Sequence, residues 1–171
     1  MAQIIEFDYD LHHSDLHRLN IEYVTWVAEQ QRLASDGDLE QILGMSIGEY
    51  VESFLEVFMK IKPPQGVILL LEDEGSIVGM GALQEFASGI GEIKRMYIRS
   101  NYQNRGFGKA ILDILISKGR DFGFRKLRLD TAEYFPYALH LYRSAGFVEV
   151  DRFANSEVPE ELRSTFMELG L

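Results

Sequence analysis

Apolar and polar residues repeat with two different periods along the chain, and each period predicts one type of element. A helical period predicts helices over residues 16–34 and 46–60. Ser14-Asp15 is the predicted N-cap of the first helix. Ser46 and Glu49 have the spacing of a capping box at the start of the second. Two amphipathic helices therefore precede most of the predicted strands.

Short apolar runs bounded by turn residues predict the strands. They cover residues 3–7, 67–71, 76–83, 92–98, 126–131, 147–150 and 166–169. Two further helices are predicted, one over 110–122 and a short one between Pro136 and Gly146. Antiparallel strands come first and strand–helix–strand units follow, which predicts a mixed α/β fold. The chain has 171 residues, and we expect one domain over 1–171 because this length can bury a core of its own.

The segment after the strand over 92–98 has the composition of an anion-binding loop. It reads Gln103-Asn104-Arg105-Gly106-Phe107-Gly108-Lys109 and runs into a predicted helix. A strand that passes through glycines into a helix start directs free backbone N–H groups at one point, which suits a phosphate or pyrophosphate. Ala110 stands where a Walker loop needs Ser or Thr, and Ile111 stands where a dinucleotide fingerprint needs glycine. Both of those nucleotide motifs are therefore excluded.

The loop resembles the acyl-CoA loop of the GCN5-related N-acetyltransferase (GNAT) superfamily. The signature of that family, Gln/Arg-x-x-Gly-x-Gly/Ala, is matched by Gln103, Gly106 and Gly108. A second signature is matched further along the chain, at Ala138, Leu141, Tyr142, Gly146 and Phe147. The resemblance is close over about residues 66–151 and extends to the first third of the chain only in outline.

The resemblance implies the fold, the cosubstrate and the residues that bind it. The fold would be a central mixed, mostly antiparallel sheet that splays around acyl-CoA and is flanked by helices. The cosubstrate would be acetyl-CoA, and its acetyl group would pass directly to a primary amine of a small molecule or a peptide. Met96 and Ile98 would contact the pantetheine arm through main-chain atoms. The residues implied around the pyrophosphate are Gln103, Arg105, Gly106, Gly108 and Lys109.

Two residues are the candidates for proton transfer that the resemblance implies. An alkyl amine has a pKa of about 10 and must lose a proton before it attacks, and the departing thiolate gains from a proton donor. Glu92 is the candidate base, and the alternative is a strand-end carboxylate paired with Arg95 or Lys94. Tyr142 is the candidate acid, and the alternative is an aromatic side chain that only packs a helix face.

Two features of the sequence bear on how acyl-CoA and the acceptor would be contacted. Many members of the family carry an Asn that bonds the pantetheine at the position of Phe135, so that hydrogen bond is expected to be absent or replaced here. Aromatic and acidic residues are frequent where the family walls its acceptor site, namely at Tyr23, Trp26, Glu29, Asp36, Asp38 and Glu40. This set is typical of an amine-binding site. An ordinary amphipathic helix followed by a polar loop has the same composition.

Composition narrows the expected partners. Acidic residues outnumber basic ones by 27 to 17, so neither a nucleic acid nor an anionic membrane is expected as a partner. The chain has no cysteine, which excludes a thiolate nucleophile and fits a reducing, cytoplasmic location. No targeting signal or apolar run of membrane-spanning length is recognisable. His12, His13 and His17 lack partners at metal-site spacing, so no metal is expected. A homodimer is possible.

Three functions fit these observations. The first is an acetyl-CoA-dependent N-acetyltransferase, which Glu92 and Tyr142 together favour. The second is a catalytically weak module that binds acyl-CoA as a sensor. The third is a phosphate-binding strand–helix unit of an unrelated α/β protein, against which the second signature argues.

Overall fold

The fold is a seven-stranded sheet with helices on both faces. A computed structural model describes residues 1–171. The strands are β1 (Gln3–Glu6), β2 (Gly66–Asp73), β3 (Ser76–Ala87), β4 (Ile90–Ile98), β5 (Lys126–Ala132), β6 (Val148–Val150) and β7 (Ser164–Gly170). The α-helices are α1 (Tyr9–Ser35), α2 (Leu39–Leu43), α3 (Ile47–Phe58), α4 (Phe107–Asp121) and α5 (Pro136–Ser144). Short 3₁₀ turns cover Ser100–Tyr102 and Glu160–Leu162.

The strands lie in the order β1-β2-β3-β4-β5-β7-β6. Every neighbouring pair is antiparallel except β4 and β5, which are parallel. The prediction of a mixed, mostly antiparallel sheet is therefore confirmed. The single parallel pair lies at the centre of the sheet, and α4 is the crossover that a parallel connection requires.

Each face of the sheet carries its own hydrophobic cluster. One cluster joins α4 and α5 to one face and includes Leu112, Leu115 and Leu127, all fully buried. The other joins α1 and α3 to the opposite face and includes Leu16 and Leu19. Burying one such leucine stabilises the fold by about 1.5–3 kcal/mol. None of the helices is both long enough and apolar enough to cross a membrane.

The first helix begins earlier than predicted. Asp8 is its N-cap and accepts a hydrogen bond from the Leu11 amide at 3.1 Å. The predicted cap, Ser14-Asp15, therefore lies inside α1, and that prediction was wrong. The first two turns are largely exposed, so they have no apolar stripe that a periodic pattern could detect. The buried stripe begins only at Leu16.

The start of α3 and the turn between β2 and β3 agree with the sequence. The capping box of α3 is confirmed, because Ser46 and Glu49 bond reciprocally at its N-terminus. The predicted turn between β2 and β3 is confirmed too, with left-handed backbone at Glu74 and Gly75, the conformation of a tight hairpin turn. The short helix α2 was not predicted, since its five residues are too few to show a period.

Strand β4 contains one extra residue, Arg95. Met80 pairs with Tyr97 while Ala82 pairs with Lys94, so two residues of β4 stand opposite one residue of β3. Arg95 has a left-handed backbone with φ of 55°, and the arrangement is a β-bulge. An insertion of one residue in a strand moves the side chains of all later residues to the opposite faces of the sheet from those that strict alternation would give. Arg95 consequently points toward α3.

Candidate active site

Strands β4 and β5 separate in the middle of the sheet. Their pairing consists of Ile90 with Lys126, Gly91 with Leu127 and Glu92 with Arg128, and it stops there. Both strands continue beyond this point, so a cleft opens between them. On its β5 side the main chain of Met96 and Ile98 has no strand partner. Apart from the Ile98 carbonyl, which accepts a hydrogen bond from the Gln103 side chain, backbone groups along this stretch of β4 are available to an extended ligand.

The loop that leads into α4 is shaped by left-handed residues. Asn104 has φ of 60° and Gly106 has φ of 82°, a conformation that costs glycine little. Gly106 is the N-cap residue of α4, yet no side chain caps this helix. The amides of Phe107, Gly108 and Lys109 have no hydrogen-bond acceptor in the protein. These are the free N–H groups of a helix start, and together they form a place where an anion can bind.

The remaining loop residues close and flank this amide cluster. The Gln103 side chain donates to the Ile98 carbonyl at 2.8 Å, which ties the loop to the end of β4. Arg105 is exposed, with its guanidinium 5.4 Å from the centre of the Tyr102 ring. Lys109 pairs with Asp113 at 2.5 Å on the surface of α4. The two cations therefore flank the free amides without filling their place.

Space is available at Gly108. A Cβ placed there would come no closer than 3.7 Å to another residue, the nearest atom being Leu141 Cδ2 of α5. The glycine thus keeps open a volume that faces the helix start. Free amides, flanking cations and open space together fit a pyrophosphate group of acyl-CoA.

Tyr142 lies on α5, next to the residue that approaches Gly108. Its side chain is 6% exposed and packs edge-on against Phe147 with ring centres 5.9 Å apart. Burial raises the pKa of the Tyr142 phenol above its usual value, so the group is protonated at neutral pH. Its hydroxyl makes no hydrogen bond within the protein. Asn20 Oδ1 is the one fully buried side-chain oxygen or nitrogen that lacks a partner, so the Tyr142 hydroxyl reaches accessible space.

Glu92 is held by two cations. Arg128 Nε donates to one carboxylate oxygen at 2.8 Å, and Lys94 Nζ lies 3.3 Å from the other. The carboxylate is 17% exposed. Arg95, an alternative partner in the sequence, lies elsewhere, with its guanidinium 3.8 Å from the centre of the Phe54 ring. Glu92 therefore stands at the mouth of the cleft as one member of an ion-pair network.

Asp130 is a candidate that the sequence analysis missed. It lies on β5 two residues past Arg128, where the parallel pairing has ended. Its carboxyl is open to the cleft. Desolvation by the surrounding residues nevertheless raises its pKa, and the negative charge of Glu92 raises that pKa further. The nearby Ser164 side chain and the positive charges of Arg95 and Lys94 lower this pKa by a smaller amount. A carboxyl whose pKa is raised is a better proton acceptor than an ordinary aspartate.

The aromatic residues of α1 wall the cleft from the other side. Trp26 stacks on Phe135 with ring centres 4.8 Å apart and approaches Tyr97 at 6.1 Å. Tyr23 is 5.5 Å from the same Tyr97 ring, and burial raises the pKa of its phenol. Phe135, which replaces the Asn found in many family members, is therefore part of an aromatic wall.

Two of the acidic residues predicted beside this wall, Asp38 and Glu40, have structural partners instead. Asp38 is the N-cap of α2 and accepts a hydrogen bond from the Glu40 amide at 2.9 Å. Glu40 accepts one from the Ile47 amide at 2.8 Å, and Asp36 is the C-cap of α1. The carboxylates of Asp38 and Glu40 therefore belong to helix ends, whereas Asp36 caps α1 through its backbone N–H, which donates to the Arg32 carbonyl. Glu29 is exposed on α1.

The histidines near the start of the chain have separate partners. His17 pairs with Glu52 at 2.6 Å, and His12 accepts a hydrogen bond from the Asp8 amide at 3.0 Å. His13 stacks on Tyr9. No group of three or more His, Cys, Asp or Glu side chains is arranged to hold a metal ion.

Comparison with known proteins assigns the family. Residues 21–147 match the model of the acetyltransferase (GNAT) family. Because the match covers well over half of the chain, the protein belongs to this family. The cleft between β4 and β5 and the uncapped start of α4 thus lie in a fold that binds acyl-CoA.

Relatives and solved structures agree with this assignment. The uncharacterized N-acetyltransferase YsnE of Bacillus subtilis is 28% identical over 145 residues, which is 75% of this chain and 95% of that protein. An uncharacterized N-acetyltransferase of Schizosaccharomyces pombe is 29% identical over 58% of this chain, but the alignment spans only 63% of the relative. An IAA acetyltransferase of Azospirillum brasilense is 32% identical over 60% of this chain and 67% of its own.

Two solved structures show the same fold. An acetyltransferase from Streptococcus agalactiae superposes with a TM-score of 0.73 at 17% identity, covering 99% of this chain and 98% of that one. The PaiA N-acetyltransferase from Thermoplasma acidophilum, in complex with coenzyme A, superposes with a TM-score of 0.68 at 16% identity. That alignment covers 100% of this chain and 99% of the neighbour.

Proposed function

We propose that this protein transfers the acetyl group of acetyl-CoA directly to a primary amine. The observation that carries the proposal is the uncapped start of α4, whose free amides at Phe107, Gly108 and Lys109 open onto the cleft near Tyr142. A helix start without a cap is left ready for an anion. The absence of cysteine agrees with direct transfer, without a thioester on the enzyme.

The chain offers distinct groups for each part of acetyl-CoA. Gly106, Gly108 and the flanking side chains of Arg105 and Lys109 would hold the pyrophosphate, while Gln103 keeps the loop in place. The main chain of Met96 and Ile98 would pair with the pantetheine arm along the open side of β4. An arm held this way brings its thioester into the cleft. Acetyl-CoA then presents the carbonyl carbon to the amine.

Tyr142 would supply the proton that the leaving thiolate needs. The raised pKa of its phenol keeps it protonated, and its hydroxyl has no partner within the protein. As the amine nitrogen bonds to the carbonyl carbon and the C–S bond breaks, negative charge collects on sulfur. A hydrogen bond from the phenol stabilises that charge in the transition state.

Glu92 and Asp130 would share the task of accepting the proton of the amine. Asp130 faces the cleft directly and has the raised pKa, whereas both oxygens of Glu92 are engaged by Arg128 and Lys94. The negative charge of Glu92 makes Asp130 more basic. We therefore assign direct proton acceptance to Asp130 and an electrostatic contribution to Glu92. This division refines the assignment of Glu92 as the base.

A binding experiment and a turnover experiment together test the proposal. Acetyl-CoA should raise the melting temperature, because a ligand that binds only the folded state stabilises it by mass action. ATP with magnesium and NAD serve as controls and should not. Release of CoA is then measured across amines, amino acids and peptides. A larger melting shift with ATP than with acetyl-CoA would refute the loop assignment. Binding without turnover of any amine would favour a sensor.

A further inference from the structure

Arg95 is an unpaired cation in the wall of the cleft. Its neighbours Lys94, Arg99 and Arg128 each pair with a carboxylate, whereas Arg95 makes no salt bridge. Its guanidinium instead lies over the Phe54 ring at 3.8 Å and is 5.9 Å from the centre of the Tyr50 ring. The side chain is half-buried. A partly desolvated cation without a counter-ion is stabilised by an anion that arrives from outside.

The backbone conformation of β4 determines where the Arg95 guanidinium lies. Arg95 is the bulged residue of β4, and its left-handed conformation is unusual for a residue with a side chain. The bulge turns Arg95 toward α3, while Met96 and Ile98 pack on the side of α4. Arg95 is therefore separated from the amide cluster at the start of α4. The anion that it suits is not the pyrophosphate of acyl-CoA.

Arg95 on β4 and Asp130 on β5 are two opposite charges that border the same cleft. Each strand carries one of them beyond the point where β4 and β5 part, and the positive charge of Arg95 lowers the pKa of Asp130. The same positive charge lowers the pKa of the partly buried Tyr23 phenol of α1, against the larger effect of desolvation. Yet Arg95 and Asp130 are not bonded to each other, so each remains available to a ligand. A ligand that carries both an amine and a carboxylate matches this pair.

We propose that Arg95 binds a carboxylate of the acceptor, so that the acceptor is an amino acid or a similar small amine bearing a carboxylate. This inference rests on the proposed acetyl transfer and specifies its substrate class. The amine would lie toward Asp130 and the carboxylate on the guanidinium. The chain is acidic overall, with 27 acidic against 17 basic residues, but distant exposed charges are screened beyond about 10 Å. The nearby charge of Arg95 therefore determines whether a carboxylate is attracted to this site.

Matched substrates test the inference. Each α-amino acid is assayed by CoA release beside its carboxamide and its decarboxylated amine, at saturating acetyl-CoA. We expect kcat/KM for the best amino acid to exceed that of its carboxamide by about 10–100-fold, the range for a charge-assisted hydrogen bond. In Arg95→Gln this ratio should fall toward one, and Arg95→Lys should restore part of it. Arg120→Gln, an exposed basic residue on α4, is the matched control.

The outcomes separate the inference from the function on which it rests. If carboxamides and amino acids react equally well, or if Arg95→Gln lowers both alike, acetyl transfer stands and the carboxylate site is refuted. If no amine reacts although acetyl-CoA binds, the proposed function fails. Calorimetry then measures the binding of N-acetyl amino acids and of their amides to the CoA-loaded protein, which tests the carboxylate site without any need for turnover. Binding that requires both the carboxylate and Arg95 supports it, and its absence overturns it.

Discussion

Arg128 donates to Glu92 across 2.8 Å, and these two residues are also the last pair that joins β4 to β5. The Arg128 guanidinium is packed against aromatic rings as well, lying 4.4 Å from the centre of Phe153. The ion pair thus marks the point at which the cleft opens. Glu92 contributes to the geometry of the site whether or not it accepts a proton, so substitutions must separate the two roles.

Asp130→Asn should reduce turnover more than Glu92→Gln. Loss of a general base lowers kcat by about 10²–10⁴-fold, and acetyl-CoA affinity should change little in Asp130→Asn. Glu92→Gln keeps the shape but removes the charge that raises the pKa of Asp130, and we expect a loss of about tenfold or less. Steady-state kinetics with an accepted amine and calorimetry with acetyl-CoA measure both quantities. A larger loss in Glu92→Gln would make Glu92 the direct base.

Stability should depend on pH at Asp130 in a defined direction. The folded protein raises the pKa of this carboxyl, so folding favours its protonated form. Its contribution to stability is therefore greatest below its ordinary pKa and is lost as pH rises through the raised value. Asp130→Asn should melt at the same temperature as wild type or higher at pH 7, and the difference should shrink toward pH 4. Calorimetric melts across this range test it, and a variant that is less stable at pH 7 contradicts it.

Tyr142→Phe should separate chemistry from packing. The ring and its contact with Phe147 are kept, and the hydroxyl that it loses has no partner in the protein. Melting temperature and acetyl-CoA affinity should stay close to wild type, while kcat falls by about 10²-fold. Single-turnover release of CoA measures the effect. Full turnover in this variant would make Tyr142 a packing residue only.

Gly108→Val should abolish acetyl-CoA binding without unfolding the protein. The added side chain would enter the open space before the helix start, and its Cβ meets nothing closer than Leu141 at 3.7 Å. Gly170→Val is the control, because a Cβ there meets no atom within 4 Å and lies at the far end of β7. Circular dichroism checks the fold, and calorimetry measures binding. Equal affinity in the two variants would refute the position assigned to the pyrophosphate.

Phe135→Asn, which restores the residue found in many family members, should destabilise this protein. The substitution removes the stack on Trp26, and an aromatic pair contributes about 0.5–1.5 kcal/mol beyond the area that it buries. Tyr137→Asn is the control, since Tyr137 is 83% exposed and lies two residues further on. Urea unfolding gives both free energies. A variant at Phe135 as stable as the control would show that the stack contributes nothing.

The glycine loop and the helix start that follows it could be predicted because their information is local. Gly106 and Gly108 are close in sequence, and the helix start that they form needs no distant partner. The capping box of α3 is predictable for the same reason, since Ser46 and Glu49 lie within one helical turn.

The side of the cleft that carries Arg95 and Asp130 depends on pairing between strands and could not be predicted in the same way. The bulge at Arg95 becomes defined only against β3, and Asp130 enters the cleft only because β4 leaves β5 after Glu92. One signal was present in the sequence. The apolar residues Ile93, Met96 and Ile98 are spaced by three and then by two, and the odd interval reveals an inserted residue.

The inserted residue Arg95 separates the proposed choice of acceptor from the proposed binding of the donor. In the proposed arrangement Arg95 would face the acceptor, while Met96 and Ile98 would bind acetyl-CoA through their main chain. A substitution at position 95 alone would then alter the choice of amine and leave the donor site unchanged. A library restricted to position 95 would therefore sample acceptors at constant donor affinity. Deleting the codon would instead exchange the faces of every later residue of β4 and remove both sites at once.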